Sequence, residues 1–366
     1  MSKPGTLGTV GVGTCSLDGR SPPPSPKEVF AVKVRSSLIL IGAIAALTFP
    51  KLAQADGITY NNFVTIDFTG AADTIVGGIN NAGQIVGGYL NSDGSRHGFL
   101  LSGGQFTTID FGNHTTELTG INNNGQIVGA YDLNSLSTGD HGLEGSHGFL
   151  TNTLGNNFTP IDYPGGVAST TPSKINDSGS VVGVYRSNLN DPGQGFLLTG
   201  GNSYSTVNVP FAAFGTHANG INNAGLIVGQ YHGSETGNPH HGYLQNGNAF
   251  TPIDLPGATE TWATDINTAG NIVGFSSLNG GTGYFLAGTT FSPIAFPGAL
   301  LTDVLGINDS GDVVGFYEDA NQVIHGFESL PSTSAVPEPG SLSLLVVGLG
   351  ALTLLLFGAC GTSDSR

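Results

Sequence analysis

The sequence predicts an all-β fold, a six-bladed β-propeller closed by an N-terminal strand, with an N-terminal signal peptide and a C-terminal transmembrane helix outside it. The first observation behind this prediction is a motif, Gly-Ile-Asn-Asn-Ala-Gly-Gln-Ile-Val-Gly at residues 78–87, that recurs along the chain. Its six copies are anchored on Ile79-Asn80, Ile121-Asn122, Ile175-Asn176, Ile221-Asn222, Ile266-Asn267 and Ile307-Asn308. The spacing of 41 to 54 residues is typical of solenoids, propellers and domain arrays.

Each repeat is predicted to contain four short strands, named a to d in chain order. Strands a and b flank the Asn-Asn-Ala-Gly turn at residues 80–83, where Asn and Gly tolerate positive φ, so the pair forms a tight hairpin. Strand c begins at His97-Gly98-Phe99. A Ser-Gly-Gly turn at residues 102–104 follows it, and strand d then spans residues 106–111. Both strands are rich in β-branched and aromatic residues, as β-structure requires.

The order of the strands is the second observation, and it indicates a closed ring. A strand d at residues 63–68 precedes the first strand a, and the last repeat ends after strand c near Leu330. Six strands d and six a–b–c triplets are therefore present, offset by one strand. An N-terminal strand that completes the last blade removes an exposed sheet edge, so residues 63–68 should lie beside residues 325–328. A β-solenoid or a row of hairpins is the alternative.

The first 55 residues predict a disordered leader followed by a secretory signal peptide. Residues 1–26 are rich in Pro, Gly and Ser and lack hydrophobic periodicity. A basic segment, an apolar run at residues 38–49 and the small residues Ala53 and Ala55 then follow in the order of a signal peptide. Cleavage after Ala55 would start the mature protein at Asp56. A buried core helix is the alternative, although the chain downstream is strand and turn.

The C-terminal residues predict a membrane-spanning segment after the propeller region at 56–330. Residues 331–340 form a linker that contains Val336, Pro337, Glu338 and Pro339. Residues 341–359 are uncharged, and as a helix they would span about 29 Å, close to the ~30 Å thickness of the hydrocarbon layer. A buried soluble helix is the alternative for this run. A short tail to residue 366 completes the segment.

Two resemblances follow from these motifs. The Val-Pro-Glu-Pro sequence, the apolar segment and the short tail resemble the PEP-CTERM sorting signal of exported bacterial proteins, which implies processing by an exosortase. Such signals usually end in an arginine cluster, whereas this tail has only Arg366. The Ile-Asn-x-x-Gly-x-Ile/Val-Val-Gly core and the His-Gly-Phe step resemble the HAF family of probable extracellular repeats. The second resemblance covers residues 63–327 and implies no biochemical activity.

The propeller region is strongly acidic. Residues 56–330 contain 22 Asp and Glu against Arg96, Lys174 and Arg186, a net charge of 3 − 22 = −19 with His neutral. A surface of this charge repels phosphate backbones and anionic lipid, so no nucleic-acid partner is predicted. Both cysteines, Cys15 and Cys360, lie outside this region, and a domain of this size can be stable without disulfides.

The repeated polar residues are interpreted as parts of the scaffold. A histidine begins strand c in four repeats, as His97, His147, His241 and His325. An aspartate ends strand d in four, as Asp67, Asp110, Asp162 and Asp254. Equivalent positions of a ring lie far apart, so neither set predicts converging metal ligands or the carboxylate pair of a glycosidase, roughly 5–10 Å apart. No catalytic residue, cofactor or metal is predicted.

Irregular loops are better candidates for a binding site, because function tends to sit in loops carried by a scaffold. The features that depart from the repeat are the long connection between strands b and c of the second repeat, its equivalent in the fourth repeat, and the only tryptophan. The candidate residues are Asp140, His141, Glu144, His240, His241 and Trp262. An exposed aromatic ring beside polar groups favours sugar binding, and a solvated loop with a buried ring is the alternative.

The predicted function is that of an exported, envelope-associated or extracellular-matrix protein with a non-enzymatic binding or structural role. Its predicted partners are an exosortase-type enzyme and an extracellular polysaccharide or envelope protein. It is expected to contact the membrane through the C-terminal helix before processing, and to stay anchored there or be released to the cell surface or matrix. The alternative is an extracellular polysaccharide hydrolase or lyase, with acidic residues of the inter-blade loops lining the central channel.

Overall fold

The computed structural model describes residues 58–131, 146–165, 167–188 and 190–332. These residues form 24 strands in six four-stranded antiparallel sheets, with one 3₁₀ turn at Leu278–Gly280. Each sheet contacts the next and the last contacts the first, so the sheets are blades of a closed six-bladed propeller, as predicted. No helix in these residues is long and apolar enough to cross a membrane. The predicted signal peptide, sorting motif and C-terminal helix lie outside them.

Strands a to d of each blade follow the chain outwards from the central channel, except that β1 is the outer strand of blade 6. Blade 1 contains β2 (Asp73–Ile79), β3 (Ile85–Leu90), β4 (Arg96–Ser102) and β5 (Gln105–Thr108), and blade 2 contains β6 (Thr116–Ile121), β7 (Gln126–Tyr131), β8 (His147–Asn152) and β9 (Thr159–Ile161). Blade 3 contains β10 (Ser169–Ile175), β11 (Val181–Arg186), β12 (Gln194–Thr199) and β13 (Ser203–Val207), and blade 4 contains β14 (Thr216–Ile221), β15 (Ile227–His232), β16 (His240–Asn246) and β17 (Ala249–Ile253). Blade 5 contains β18 (Thr261–Ile266), β19 (Ile272–Ser276), β20 (Thr282–Ala287) and β21 (Thr290–Ile294), and blade 6 contains β22 (Leu301–Ile307), β23 (Val313–Glu318), β24 (Ile324–Ser332) and β1 (Thr59–Ile66).

The N-terminal strand completes blade 6, because β1 pairs antiparallel with β24. Val64 lies opposite Glu328 in this pairing, so the predicted seam between the two ends of the propeller is confirmed. The seam is longer than the sequence predicted. Strand β24 continues to Ser332 instead of ending near Leu330, and β1 begins at Thr59 instead of residue 63.

The repeated Val-Gly step of strand b is explained by packing inside each blade. A Cβ on Gly87 would lie 2.1 Å from the carbonyl oxygen of Ile75 and 2.9 Å from the ring of Phe99, the residue opposite it on strand c. The equivalent glycines, which meet a main-chain oxygen at 1.9–2.3 Å, are Gly129, Gly183, Gly229, Gly274 and Gly315. The fully buried rings opposite them are Phe149, Phe196, Tyr243, Tyr284 and Phe327. Only glycine leaves room for this ring.

The asparagine of each Ile-Asn pair belongs to a closed ring of hydrogen bonds around the channel. Asn80 Oδ1 accepts from the backbone N–H groups of Ala82 and Gln84, at 3.1 and 3.0 Å, which fixes the a–b turn. Asn80 Nδ2 donates to the carbonyl oxygen of Asn122 in the next blade at 3.1 Å. The other links, at 2.9–3.4 Å, run from Asn122 to Asn176, Asn176 to Asn222, Asn222 to Asn267, Asn267 to Asn308 and Asn308 to Asn80. The last link exists only because the ring is closed.

Candidate functional site

The propeller has two unlike faces, because the strands of each blade alternate in direction. The a–b and c–d turns lie on one face, called the turn face, and the b–c and d–a connections lie on the other, called the loop face. Of the candidate binding residues, Asp140, His141 and Glu144 lie outside the described residues. His240, His241 and Trp262 lie at the loop-face ends of their strands.

On the turn face the channel opens into a funnel with a cavity of about 60 Å³, lined by residues of all six blades. Its rim residues are Asn81, Asn123, Asp177, Asn223, Thr268 and Asp309. Asp309 Oδ2 accepts from Asn81 Nδ2 at 2.8 Å and from Thr268 Oγ1 at 3.1 Å. Burial would raise the pKa of Asp309, but these hydrogen bonds outweigh it and hold the pKa below its usual value.

The second rim carboxylate is held in the same way. Asp177 Oδ2 accepts from Asn123 Nδ2 at 2.9 Å and from Asn223 Nδ2 at 2.7 Å. Both acids therefore join the turns of adjacent blades. A pair of carboxylates committed to neighbouring donors in this way is suited to holding the ring, not to proton transfer.

Below the funnel, the channel is crossed by Lys174 from strand β10 of blade 3. Its Nζ donates to the carbonyl oxygens of Gly77 at 2.6 Å, Leu305 at 2.8 Å and Thr119 at 3.2 Å, which belong to blades 1, 6 and 2. Burial lowers the pKa of the Lys174 ammonium, and the carboxylate of Asp265 opposes that effect. One side chain thus ties four blades together across the channel.

Asp265, in strand β18 of blade 5, also lies inside the channel. Its Oδ1 accepts from the N–H of Ile266 at 2.9 Å, and its Oδ2 accepts from the N–H of Ile307 in blade 6 at 3.2 Å. Burial raises the pKa of Asp265 to about 6, against the opposing effects of Lys174 and these two N–H groups. The other four blades carry glycine at this position, as Gly78, Gly120, Gly220 and Gly306.

On the loop face, one position of strand a differs in every blade. Its six residues are Ile75, Glu117, Thr171, His217, Trp262 and Asp303. Five of them are matched to a group at the beginning of strand c in the preceding blade. The pairs are Glu117 with Arg96, Thr171 with Ser146, His217 with the carbonyl of Pro192, Trp262 with His240, and Ile75 with Ile324. This variation therefore reflects specific contacts between adjacent blades.

Asp303 is the exception in this set. The preceding blade offers only Gly281, directly before β20, at the matching position. The Asp303 residue is 7% exposed. Burial alone raises its pKa to about 7, so a large fraction of this carboxyl is protonated near neutral pH.

His240 and Trp262 form the centre of a non-repeated cluster between blades 4 and 5, called the His–Trp cluster. The indole of Trp262 lies between the ring of Phe275, with centroids 4.7 Å apart and stacked, and the imidazole of His240, 4.8 Å away. His240 Nδ1 lies 3.1 Å from Glu260 Oε1, and the His240 ring lies 4.4 Å from that of His232. The structure thus joins two candidate residues and groups them with Glu260, His232 and Phe275.

The adjacent His241 belongs to a different, repeated arrangement. Its Nδ1 lies 2.8 Å from Asp254 Oδ1, and its ring stacks on Tyr231 with centroids 5.3 Å apart. The same trio recurs as Tyr89–His97–Asp110, Tyr131–His147–Asp162 and Tyr317–His325–Asp67. The His–Asp pair changes as a unit, to Gln194 and Asn208 in blade 3 and to Thr282 and Ala295 in blade 5. These pairs link strand c to the end of strand d.

Within the described ranges, no group of three or more His, Cys, Asp or Glu side chains is arranged to hold a metal ion. The His–Trp cluster combines aromatic surface, an imidazole and a carboxylate. His240 Nε2 is shielded from solvent and has no hydrogen-bond partner in this part of the chain.

No family model and no curated protein matches the chain, so the two resemblances stay predictions. Among solved structures, it is similar to the β-propeller domain of the Trilobed protease from Pyrococcus furiosus, with 11% identity, coverage of 75% of this chain and 99% of that one, and a TM-score of 0.43. It is also similar to a mutant of the Aleuria aurantia lectin in complex with Fucα1-6GlcNAc (10% identity, 73% and 98% coverage, TM-score 0.44). An ulvan lyase gives 11% identity, 74% and 85% coverage and a TM-score of 0.39. These similarities carry no information about ligand or reaction.

Proposed function

We propose that this protein is an exported, non-enzymatic binding protein of the cell envelope or extracellular matrix, and that its loop face binds a neutral polysaccharide. The proposal includes export through the signal peptide and sorting by an exosortase-type enzyme. It also includes transient anchoring by the C-terminal helix. The sequence features at the two ends of the chain support this part of the proposal.

The observation that carries the binding proposal is the division between repeated and non-repeated polar groups. The asparagine ring, the rim carboxylates and the His–Asp pairs are each bonded to neighbouring blades or strands. The His–Trp cluster has no counterpart among the described residues of the other blades, and it presents Glu260 and His240 beside an indole ring. Aromatic surface with a few convergent polar groups is the usual composition of a ligand site.

The charge distribution favours a neutral ligand over an acidic one. The three basic residues of the propeller, Arg96, Lys174 and Arg186, are all buried, at 6–9% exposure. The accessible charges of the described residues are therefore acidic. An anionic polymer would meet repulsion and no counter-charge.

The alternative, a polysaccharide hydrolase or lyase, would need an acid and a base with access to substrate. The propeller does contain buried carboxylates with raised pKa values, Asp265 and Asp303. However, both are buried, and the oxygens of Asp265 already accept two main-chain hydrogen bonds. Their positions suit structural roles, so binding without catalysis is the favoured function.

The binding test uses a glycan array and pull-downs from cell-envelope material with the mature chain. We expect reproducible binding to neutral glycans, and we expect Glu260→Gln to weaken it about tenfold, as the loss of one charge-assisted hydrogen bond would. Asp254→Asn is the matched control, because it removes a loop-face carboxylate outside the His–Trp cluster. N-terminal sequencing of the same preparation should begin at Asp56.

Four outcomes would count against the proposal. Arrays and pull-downs that return nothing reproducible would remove the binding role, and capture of an envelope protein alone would replace the polysaccharide with a protein partner. Turnover of an exopolysaccharide would favour the enzymatic alternative. Recovery of residues before Asp56 would contradict the proposed processing.

A further inference from the structure

We infer that the central channel contains a binding site for one structural water molecule, enclosed between Lys174 and the loop-face side chains. A cavity of about 30 Å³ lies in this part of the channel, between Lys174 and the loop-face residues Glu117 and Thr171. It is lined on all sides by strand a residues, among them Thr119, Ser173, Asn219 and Thr264. A cavity of this size can hold one water molecule, provided that polar partners surround it.

Two buried polar atoms of the cavity wall have no protein partner in the described residues. They are Ser173 Oγ and Asn219 Oδ1, in residues that are 7% and 3% exposed. The amide of Asn219 cannot be turned to satisfy its oxygen, because its Nδ2 donates to Gln230 Oε1 and to the carbonyl of Ala263 at 3.0 Å. Buried polar atoms in folded proteins nearly always have a hydrogen-bond partner, so two unsatisfied atoms on one cavity indicate a bound partner.

Ser173 differs from the residues at the same position of strand a in other blades. At that position Thr119 Oγ1 donates to the carbonyl of Pro172 at 2.8 Å, and Thr264 Oγ1 donates to the carbonyl of Val304 at 2.7 Å. Both hydroxyls therefore bond the next blade, as Asn219 does. Ser173 makes no such bond, so its hydroxyl hydrogen remains available to another acceptor.

The chemistry of the wall selects the occupant. Asn219 Oδ1 is an acceptor and needs a donor, which excludes an anion such as chloride. A monovalent cation is disfavoured, because the Lys174 ammonium lines the same cavity and its three donors are already engaged. A water molecule meets both requirements, since it can donate to Asn219 Oδ1 and accept from Ser173 Oγ. It would bridge blades 3 and 4, at a level where Lys174 bonds blades 1, 2 and 6.

The test compares two buried serines in the full chain by thermal denaturation. Ser329 Oγ is also buried and unpartnered, but Ser329 does not line this cavity. If water fills the site, Ser173→Ala removes a hydrogen bond and should lower Tm by about 1–4 °C. Ser329→Ala removes only an unsatisfied group and should leave Tm unchanged or higher. A Tm for Ser173→Ala equal to or above that of Ser329→Ala would overturn the inference.

A crystal structure at high resolution supplies an independent readout. We expect one density peak within hydrogen-bond distance of both Ser173 Oγ and Asn219 Oδ1, refining as a fully occupied water. A cavity without density, or a peak that refines as a heavier ion, would each contradict the assignment. Neither result would bear on whether the loop face binds polysaccharide.

Discussion

Replacing Lys174 with methionine is expected to lower the free energy of unfolding by roughly 3–5 kcal/mol. This is the typical effect of removing one member of a buried pair of opposite charges. Methionine keeps most of the length of the side chain but donates no hydrogen bond. The substitution therefore leaves the carbonyls of Gly77, Thr119 and Leu305 without the donor that joins them. It also leaves Asp265 without the positive charge that opposes its rise in pKa. Urea denaturation at pH 7 measures the effect.

The double variant Lys174→Met/Asp265→Asn is the control for this experiment. If part of the loss comes from the uncompensated carboxylate, the double variant should be more stable than the Lys174→Met single variant. A loss below about 1 kcal/mol in the single variant would be within the range of a surface substitution. In that case Lys174 would not be the link between blades that its contacts indicate.

Asp303→Asn is expected to stabilise the protein, and more so as the pH rises. The folded-state pKa of about 7 lies above the unfolded value of 3.8, so the folded protein binds more protons between these values. Stability contributed by this group is therefore present at low pH and lost as the pH rises towards 7. Asparagine does not ionise, so its advantage over aspartate should be larger at pH 8 than at pH 5 by roughly 2 kcal/mol.

Asp309→Asn is the matched control, because asparagine stands at the equivalent rim position in blades 1, 2 and 4. Hydrogen bonds hold the pKa of Asp309 below its usual value, so its contribution to folding stability has the opposite pH dependence. It is lost as the pH falls, and Asp309→Asn should give no gain at pH 8. Equal gains for Asp303→Asn at pH 5 and pH 8, measured by urea denaturation, would show that Asp303 is not kept protonated by burial.

The ring closure could be predicted from sequence because it depends on counting strands. A strand at residues 63–68 without its own a, b and c strands needs a partner, and the last repeat lacks one. The asparagine turn was also predictable, because Asn and Gly suit its backbone. The bonds from Asn80 to Asn122 and onwards were not, because they depend on the spacing of blades in the closed ring.

The charged groups of the channel had a signal that was overlooked. Lys174 and Asp265 stand where the other four repeats have glycine, and they carry opposite charges. The pairing of His with Asp could also have been inferred, because Gln194 and Asn208 replace both members together in the third repeat. A comparison of repeats position by position reveals such concerted changes, whereas each residue alone indicates only a scaffold role.

The His–Trp cluster was the least predictable part. Trp262 and His240 were singled out as loop residues, but their contact depends on how blade 4 meets blade 5. Glu260 lies in a d–a connection, and connections of different length do not align between repeats. Sequence reasoning therefore singled out two residues of this cluster, but not the grouping of its side chains.

The central claim is that the two ends of the propeller meet, and an engineered disulfide across the seam tests it most directly. Val64 lies opposite Glu328 on adjacent antiparallel strands, and residues 58–332 contain no cysteine. Directly opposed residues have Cα atoms about 4.5–5.5 Å apart, within the range that a disulfide spans. In a Val64→Cys/Glu328→Cys variant, we predict near-complete intramolecular cross-linking of the folded monomer under mild oxidation, seen as a mobility shift that reductant reverses. Free thiols, or cross-links only between molecules, would contradict the closed ring.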